Sequence, residues 1–233
     1  MANQSNSALI TGASRGLGFA LTKAFVERGW SLIVTAWDAG ALHTALAKLD
    51  NRERVIAIPG DVADPIHRQT LAEAAQLLGG LNAVINNAGI LGISPQPLLV
   101  NYPLDVLEQV YQINVIAQLG ILQAIWKELK PGATIMNITS DAGVEPYPNW
   151  GGYGSSKAAL DQLTAILAVE NPQFHIYSVD PGDMRTQMHQ EAFPGEDISD
   201  RPLPEVSIPG ILSLLEEKLP SGRYRARELA LEE

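Results

Sequence analysis

Short apolar runs rich in β-branched residues alternate along the chain with longer segments whose apolar positions recur at helical spacing. The runs are "SALIT" (7–11), "SLIVTA" (31–36), "RVIAI" (54–58), "NAVIN" (82–86), "ATIMNI" (133–138), "HIYSV" (175–179) and "GRYRA" (222–226). Helical segments over 16–29, 40–50, 65–79, 103–130, 151–170 and 205–218 separate them. Strands this short and apolar suit a sheet covered on both faces, and strand–helix alternation closes through right-handed crossovers. The pattern predicts an α/β fold, with a doubly wound, mostly parallel seven-stranded sheet between two helical layers in one domain over 1–233. Sheets of this kind bind ligands beyond the carboxyl ends of their strands, near the point where strand order reverses. One stretch breaks the rhythm: 183–209, "DMRTQMHQEAFPGEDISDRPLPEVSIP". It is too long for an ordinary connection and leaves a strand end, so it is expected to be a substrate loop acting as a lid.

Composition narrows the chemistry. With 233 residues, 46% of them hydrophobic, the chain supports one large core. Its 16 basic and 26 acidic residues give a net charge of −10, which opposes binding to nucleic acid or to anionic membranes. There is no cysteine, which removes disulfides, thiolate catalysis and Cys-based zinc sites. His43, His67, His175 and His189 are scattered without ligand spacing, so no metal is expected. The polar start "MANQSNS" and the absence of any apolar run near ~20 residues predict a soluble, cytoplasmic protein.

The strand ends carry the candidate site. After the first strand, "TGASRGLG" (11–18) places Gly12, Gly16 and Gly18 at a strand-to-helix turn. Glycines there let a pyrophosphate approach the backbone N–H groups of a helix N-terminus. "GDVAD" sets Asp61 beyond the third strand, where a carboxylate can accept from an adenine amino group. "NNAG" (86–89) ends the fourth strand, and Ser140 closes "MNITS" at the end of the fifth. "YGSSK" then starts a helix with Tyr153 and Lys157 four residues apart, hence on one face and able to share a reaction centre.

In order and spacing, "TGASRGLG", "DV" (61–62), "NNAG", the Asn114 of "YQINV", Ser140, "YGSSK" and "PGDMRT" resemble the short-chain dehydrogenase/reductase family over nearly the entire chain. The resemblance implies a Rossmann-type three-layer domain, a nicotinamide cofactor and a carbonyl-reductase-like oxidoreductase with a catalytic tetrad of Asn114, Ser140, Tyr153 and Lys157. Tyr153 would exchange a proton with the carbonyl or alcohol oxygen, its phenol pKa lowered by Lys157 and the oxidised cofactor. Ser140 would hold that oxygen, Lys157 would bond the nicotinamide ribose, and Asn114 would hold a water linking Lys157 to solvent. Cofactor contacts would come from Gly12, Ser14, Arg15, Gly16, Leu17, Gly18, Asp61, Val62, Asn87, Ala88 and Gly89. Tyr153, Lys157, Pro181, Gly182 and Thr186 would complete them, Thr186 at the carboxamide.

Where NAD-selective relatives often carry an acid the chain has Ala36, and where NADP-selective ones place a base it has Trp37. Arg15 can pair with a 2'-phosphate, while Asp38 would oppose one if turned inward; the balance favours NADP(H), with NAD(H) as the alternative. Tyr147, Trp150 and Phe193 are expected to wall the substrate site. Apolar residues on more than one face of 103–130 and 151–170 predict a homodimer or homotetramer. The competing functional reading is a non-catalytic dinucleotide-binding regulator of the same fold.

Overall fold

The computed structural model describes residues 6–229; most of the polar start read above lies outside these residues. Seven parallel strands form one sheet: β1 (Ser7–Thr11), β2 (Ser31–Thr35), β3 (Val55–Ala57), β4 (Leu81–Asn86), β5 (Leu129–Ile138), β6 (His175–Asp180) and β7 (Gly222–Arg225). Their order is β3-β2-β1-β4-β5-β6-β7, so the chain reverses direction across the sheet between β1 and β4. Successive strand residues point to opposite faces, and each face buries its own core. Ile10, Val34, Ile85 and Val179 pack with Leu21 and Phe25 of α1 (Gly16–Glu27). Leu9, Ile33, Val84 and Ile176 pack with Leu71 of α3 (Pro65–Leu77) and Ile121 of α5 (Ala117–Ile125). This is the doubly wound, three-layer arrangement predicted from the alternation of runs.

Three other helices concern the site: α2 (Ala39–Leu46), α4 (Leu104–Tyr111) and α6 (Gly151–Glu170). The continuous helix expected over 103–130 is not continuous. After α4, residues Gln112–Ile116 form a π turn before α5 resumes the α pitch, and by Leu129 the chain is already strand. Within the widened turn Gln118 donates to the carbonyl of Ile113 at 2.8 Å. Continuation as far as 130 is blocked locally. Pro131 disfavours helical geometry for Lys130, and Gly132 adopts a φ of 70°. The irregular stretch 183–209 contains a short helix, α7 (Gln187–Ala192), and a 3-10 turn at Pro204–Ser207 that leads into α8 (Ile208–Glu217). No helix among the described residues is long and apolar enough to cross a membrane.

Candidate active site

The ends of β1 and β4, the strands flanking the reversal, are stapled by Thr11. Its hydroxyl accepts from the backbone N–H groups of Asn87 (3.0 Å) and Ala88 (2.9 Å). Asn87 returns the contact, its side-chain amide donating to the Thr11 carbonyl at 2.9 Å and to that of Gly12 at 3.3 Å. The glycine turn is shaped by this closeness. Gly12 (φ +67°) and Gly16 (φ +54°) occupy the left-handed region. A Cβ on Gly18 would stand 2.2 Å from the Gly12 carbonyl oxygen. No side chain caps α1 and no acid lies in its first turn, leaving the turn electrically suited to an anion. The residues present therefore fit a dinucleotide pyrophosphate.

Further along the cleft the predicted contacts separate into groups. Asp61 is exposed and caps its own loop through Ala63 N–H at 2.8 Å, with Val62 buried beside it. Asp38 accepts from Ala41 N–H at 3.0 Å as the N-cap of α2, which ties its carboxylate to the helix. Ala36 is buried, whereas Trp37 is 82% exposed at the end of β2. Arg15 donates to the Gln187 Oε1 of α7 at 2.7 Å, and Ser94 donates to the Glu191 carbonyl at 2.6 Å. The stretch predicted as a lid thus touches both the glycine turn and the loop after β4. Thr186 caps α7 through His189 N–H and approaches the glycine turn, where its Cγ2 lies 3.5 Å from a Cβ placed on Gly16.

The four tetrad residues converge at the ends of β4 and β5. Asn114 is fully buried in the π turn. It accepts from Ile90 N–H at 2.8 Å and donates to the Ile90 carbonyl at 2.9 Å and to Ser156 Oγ at 3.0 Å. Its amide thereby fixes the loop after β4 against α6. Its carboxamide oxygen also lines Gly89, where an added Cβ would stand 3.2 Å from it and 3.7 Å from Lys157 Nζ. Lys157, 4% exposed, donates to the Ile138 carbonyl at 2.8 Å, and its Nζ lies 5.4 Å from the Tyr153 ring centre. Ser140 donates to Asp141 Oδ1 at 2.9 Å and stands against the Tyr153 phenol.

Electrostatics set the starting state of Tyr153. Tyr153 keeps part of its side chain at the surface, yet its phenol oxygen lies deep among protein atoms. Burial pushes the phenol well above its ordinary pKa, Asp180 and Asp141 push it the same way, and only the Ser140 hydroxyl opposes them. The protein's own groups therefore hold Tyr153 as the neutral acid. Desolvation and the two carboxylates set that direction. Burial also pushes the Lys157 ammonium down to about 8, with Asp161 acting in the opposite direction.

Trp150 and Phe193 meet at the mouth, with ring centres 5.9 Å apart, and Trp150 stands 5.8 Å from the Tyr153 ring. Tyr147 instead donates to Asp141 Oδ2 at 2.9 Å. Pro181 and Gly182 follow β6, where Asp180 accepts from Gly182 N–H at 2.9 Å. Thr11, Asp141, Asp180 and Arg223 were not singled out by the motif reading. Thr11 was available at the head of the glycine motif, but the others matter only through partners brought close by the sheet.

A family model described as short chain dehydrogenase matches residues 6–197. The chain is 31% identical to Protein FixR of Bradyrhizobium diazoefficiens over 223 residues, covering 86% of this chain and 75% of that one. It is 33% identical to a rhamnolipid-biosynthesis 3-oxoacyl-acyl-carrier-protein reductase of Pseudomonas aeruginosa, covering 72% and 68% of the two chains. A short chain dehydrogenase from Escherichia coli CFT073, solved in complex with NADPH, superposes with a TM-score of 0.88 at 26% identity, covering 95% of this chain and 96% of that one.

Proposed function

Because the chain belongs to the short-chain dehydrogenase/reductase family, we propose that it is an NAD(P)(H)-dependent oxidoreductase acting on a carbonyl or secondary alcohol. The observation that carries this reading is the convergence of Ser140, Tyr153 and Lys157 beside a glycine turn that fits a pyrophosphate. A bound nicotinamide supplies or accepts the hydride. The chain's residues do the rest. Tyr153 donates its proton to the carbonyl oxygen in reduction and removes one from the alcohol in oxidation. The phenol is neutral at neutral pH and so carries the proton that reduction needs. Ser140 orients the reacting oxygen, turning to it the hydroxyl proton otherwise given to Asp141. Lys157, oriented by the Ile138 carbonyl, presents its ammonium to the ribose. The Asn114 clamp keeps the loop carrying Ala88 and Gly89 against α6.

NADP(H) is the favoured cofactor. Asp38 is turned into its helix cap and Ala36 carries no charge, so no second-strand carboxylate is directed at a 2'-phosphate. Arg15 supplies a cation at the turn, and the NADPH complex of the E. coli relative supports the same choice. NAD(H) is the alternative. Trp150 and Phe193 favour a substrate with an apolar or aromatic group beside the carbonyl. The stretch around α7 acts as the lid, and the setting is cytoplasmic.

The test is NADPH and NADH consumption against aldehydes, ketones, diketones and quinones, with Tyr153→Phe as the control. Turnover in the parent and its loss in the variant, with cofactor binding retained, is the expected result. A variant within about tenfold of the parent, or ~1.4 kcal/mol of barrier, refutes the role of Tyr153. Cofactor binding without any turnover favours a dinucleotide-binding regulator.

A further inference from the structure

Behind the proposed site one cation reaches three of its walls. Arg223, on β7, donates through Nη2 to the Ser140 carbonyl at 3.0 Å and to Asp180 Oδ2 at 3.2 Å, and through Nε to Asp161 Oδ2 at 3.2 Å. The cluster is sheltered, with side-chain exposures of 26% for Arg223, 15% for Asp161 and 4% for Asp180. Each partner leads directly into the site. Ser140 is the proposed substrate hydrogen-bond donor. Asp161 lies one helical turn beyond Lys157 on α6, and Asp180 fixes the Pro181–Gly182 turn through Gly182 N–H.

We propose that Arg223 is a positioning residue that holds the Ser140 loop, α6 and the Pro181–Gly182 turn in register and neutralises the two carboxylates behind them. The inference deepens the oxidoreductase reading and rests on it for its kinetic consequence, though not for its electrostatic one. A planar guanidinium suits the task because its donors fan out in one plane and can engage two carboxylates and a carbonyl together. The charges in play come from the neighbouring elements: Asp141 and Glu145 after β5, Lys157 and Asp161 on α6, Asp180 on β6, Arg223 with the exposed Arg225 on β7, and Arg227 beyond β7 against Gly182. Asp161 Oδ1 is buried without a hydrogen-bond partner among the described residues, so the Arg223 contact at Oδ2 is central to satisfying that carboxylate.

The electrostatic consequence is read without substrate. Lys157 titrates near 8, within reach of NMR on lysine-labelled full-length protein, with Lys157→Met assigning the signal. In Arg223→Met a cation is lost and two carboxylates are released, so the Lys157 titration should move up by about one pH unit. Arg223→Lys keeps the charge and should return it to near the parent value. Asp180→Asn leaves Arg223 less compensated and should move it down. On any carbonyl the parent reduces, Arg223→Met should lower kcat at least about tenfold with KM changed less than about threefold. Arg223→Lys should restore part of kcat. An unmoved Lys157 titration in Arg223→Met overturns the proposal whatever the rates. Should that variant not fold, an unmoved titration in Asp180→Asn overturns it equally. A shifted titration in a protein that turns over no carbonyl upholds the role of Arg223 and sinks the oxidoreductase reading instead.

Discussion

Replacing Lys157 by methionine should make the protein more stable at neutral pH while removing its proposed activity. The difference between the ordinary lysine value of 10.5 and about 8 in the fold, at about 1.36 kcal/mol per pKa unit, is roughly 3 kcal/mol. At pH 7 the ammonium is intact in both folded and unfolded chains, so the folded state carries that whole difference as a cost. Methionine is of similar length, carries no charge and avoids it. The variant loses the bond to the Ile138 carbonyl, which takes back about 1–2 kcal/mol. A net gain of about 1–2 kcal/mol at pH 7 remains. The sign then reverses with pH. The folded value is depressed, so between about 8 and 10.5 the unfolded chain holds more protons and the parent gains stability as pH rises. Through that window the variant's advantage should shrink and become a deficit. Urea unfolding followed by tryptophan fluorescence at pH 7 and pH 10 gives both numbers. A variant less stable than the parent at pH 7, or a gap that does not change between the two conditions, would refute the reasoning.

Other outcomes follow from the geometry. Gly18→Ala places a Cβ 2.2 Å from the Gly12 oxygen; a cost of about 2–3 kcal/mol should lower Tm by roughly 5–10 °C and weaken cofactor binding, and unchanged melting would show that the turn gives way easily. The parent should prefer NADPH to NADH modestly, with Arg15→Ala reducing the preference; equal or better efficiency with NADH at one fixed salt concentration contradicts the reading of this end of the cleft. Because its carboxylate caps α2, Asp38→Asn should leave the preference within about twofold, Asn being as good a cap; a larger change would place the carboxylate in the cofactor site. Ile116 (54%), Ile166 (49%) and Val169 (83%) stand exposed on the π turn and α6, so light scattering at micromolar concentration should give at least the mass of a homodimer; a monomer mass is the contrary result.

What the sequence disclosed was whatever depends on neighbours along the chain. Strand and helix periodicity is local, so the runs around Ile10, Ile33 and Ile176 announced the sheet, and the glycines around Arg15 announced the turn. The 3.6-residue period placed Tyr153 and Lys157 on one face for the same reason. Asn114 was legible as a position but not as a partner of Ile90, and nothing in an apolar helical stretch foretold the π turn that carries it. The direction of the Tyr153 shift was hidden because it depends first on burial of the phenol and then on Asp180, distant along the chain and near only once β5 and β6 lie side by side. Arg223 was hidden by the same distance, sitting in a short strand that reads as an ordinary polar edge.

The position of Arg223 on β7, the last of the described strands, gives assembly a direction in time. Synthesis runs from the N-terminus, so the glycine turn, the Tyr153 helix and Asp180 all emerge before the guanidinium that joins them. Until Gly222–Arg225 pairs with β6, the carboxylates of Asp161 and Asp180 lack that cation, and burying them unpaired is costly. The nascent protein is thereby discouraged from closing the rear of its site early, and docking of β7 turns a loosely joined cleft into a fixed one. Ribosome-held chains ending before and after β7 should therefore differ sharply in resistance to proteolysis around Ser140, although the residues of the glycine turn and the tetrad are present in both.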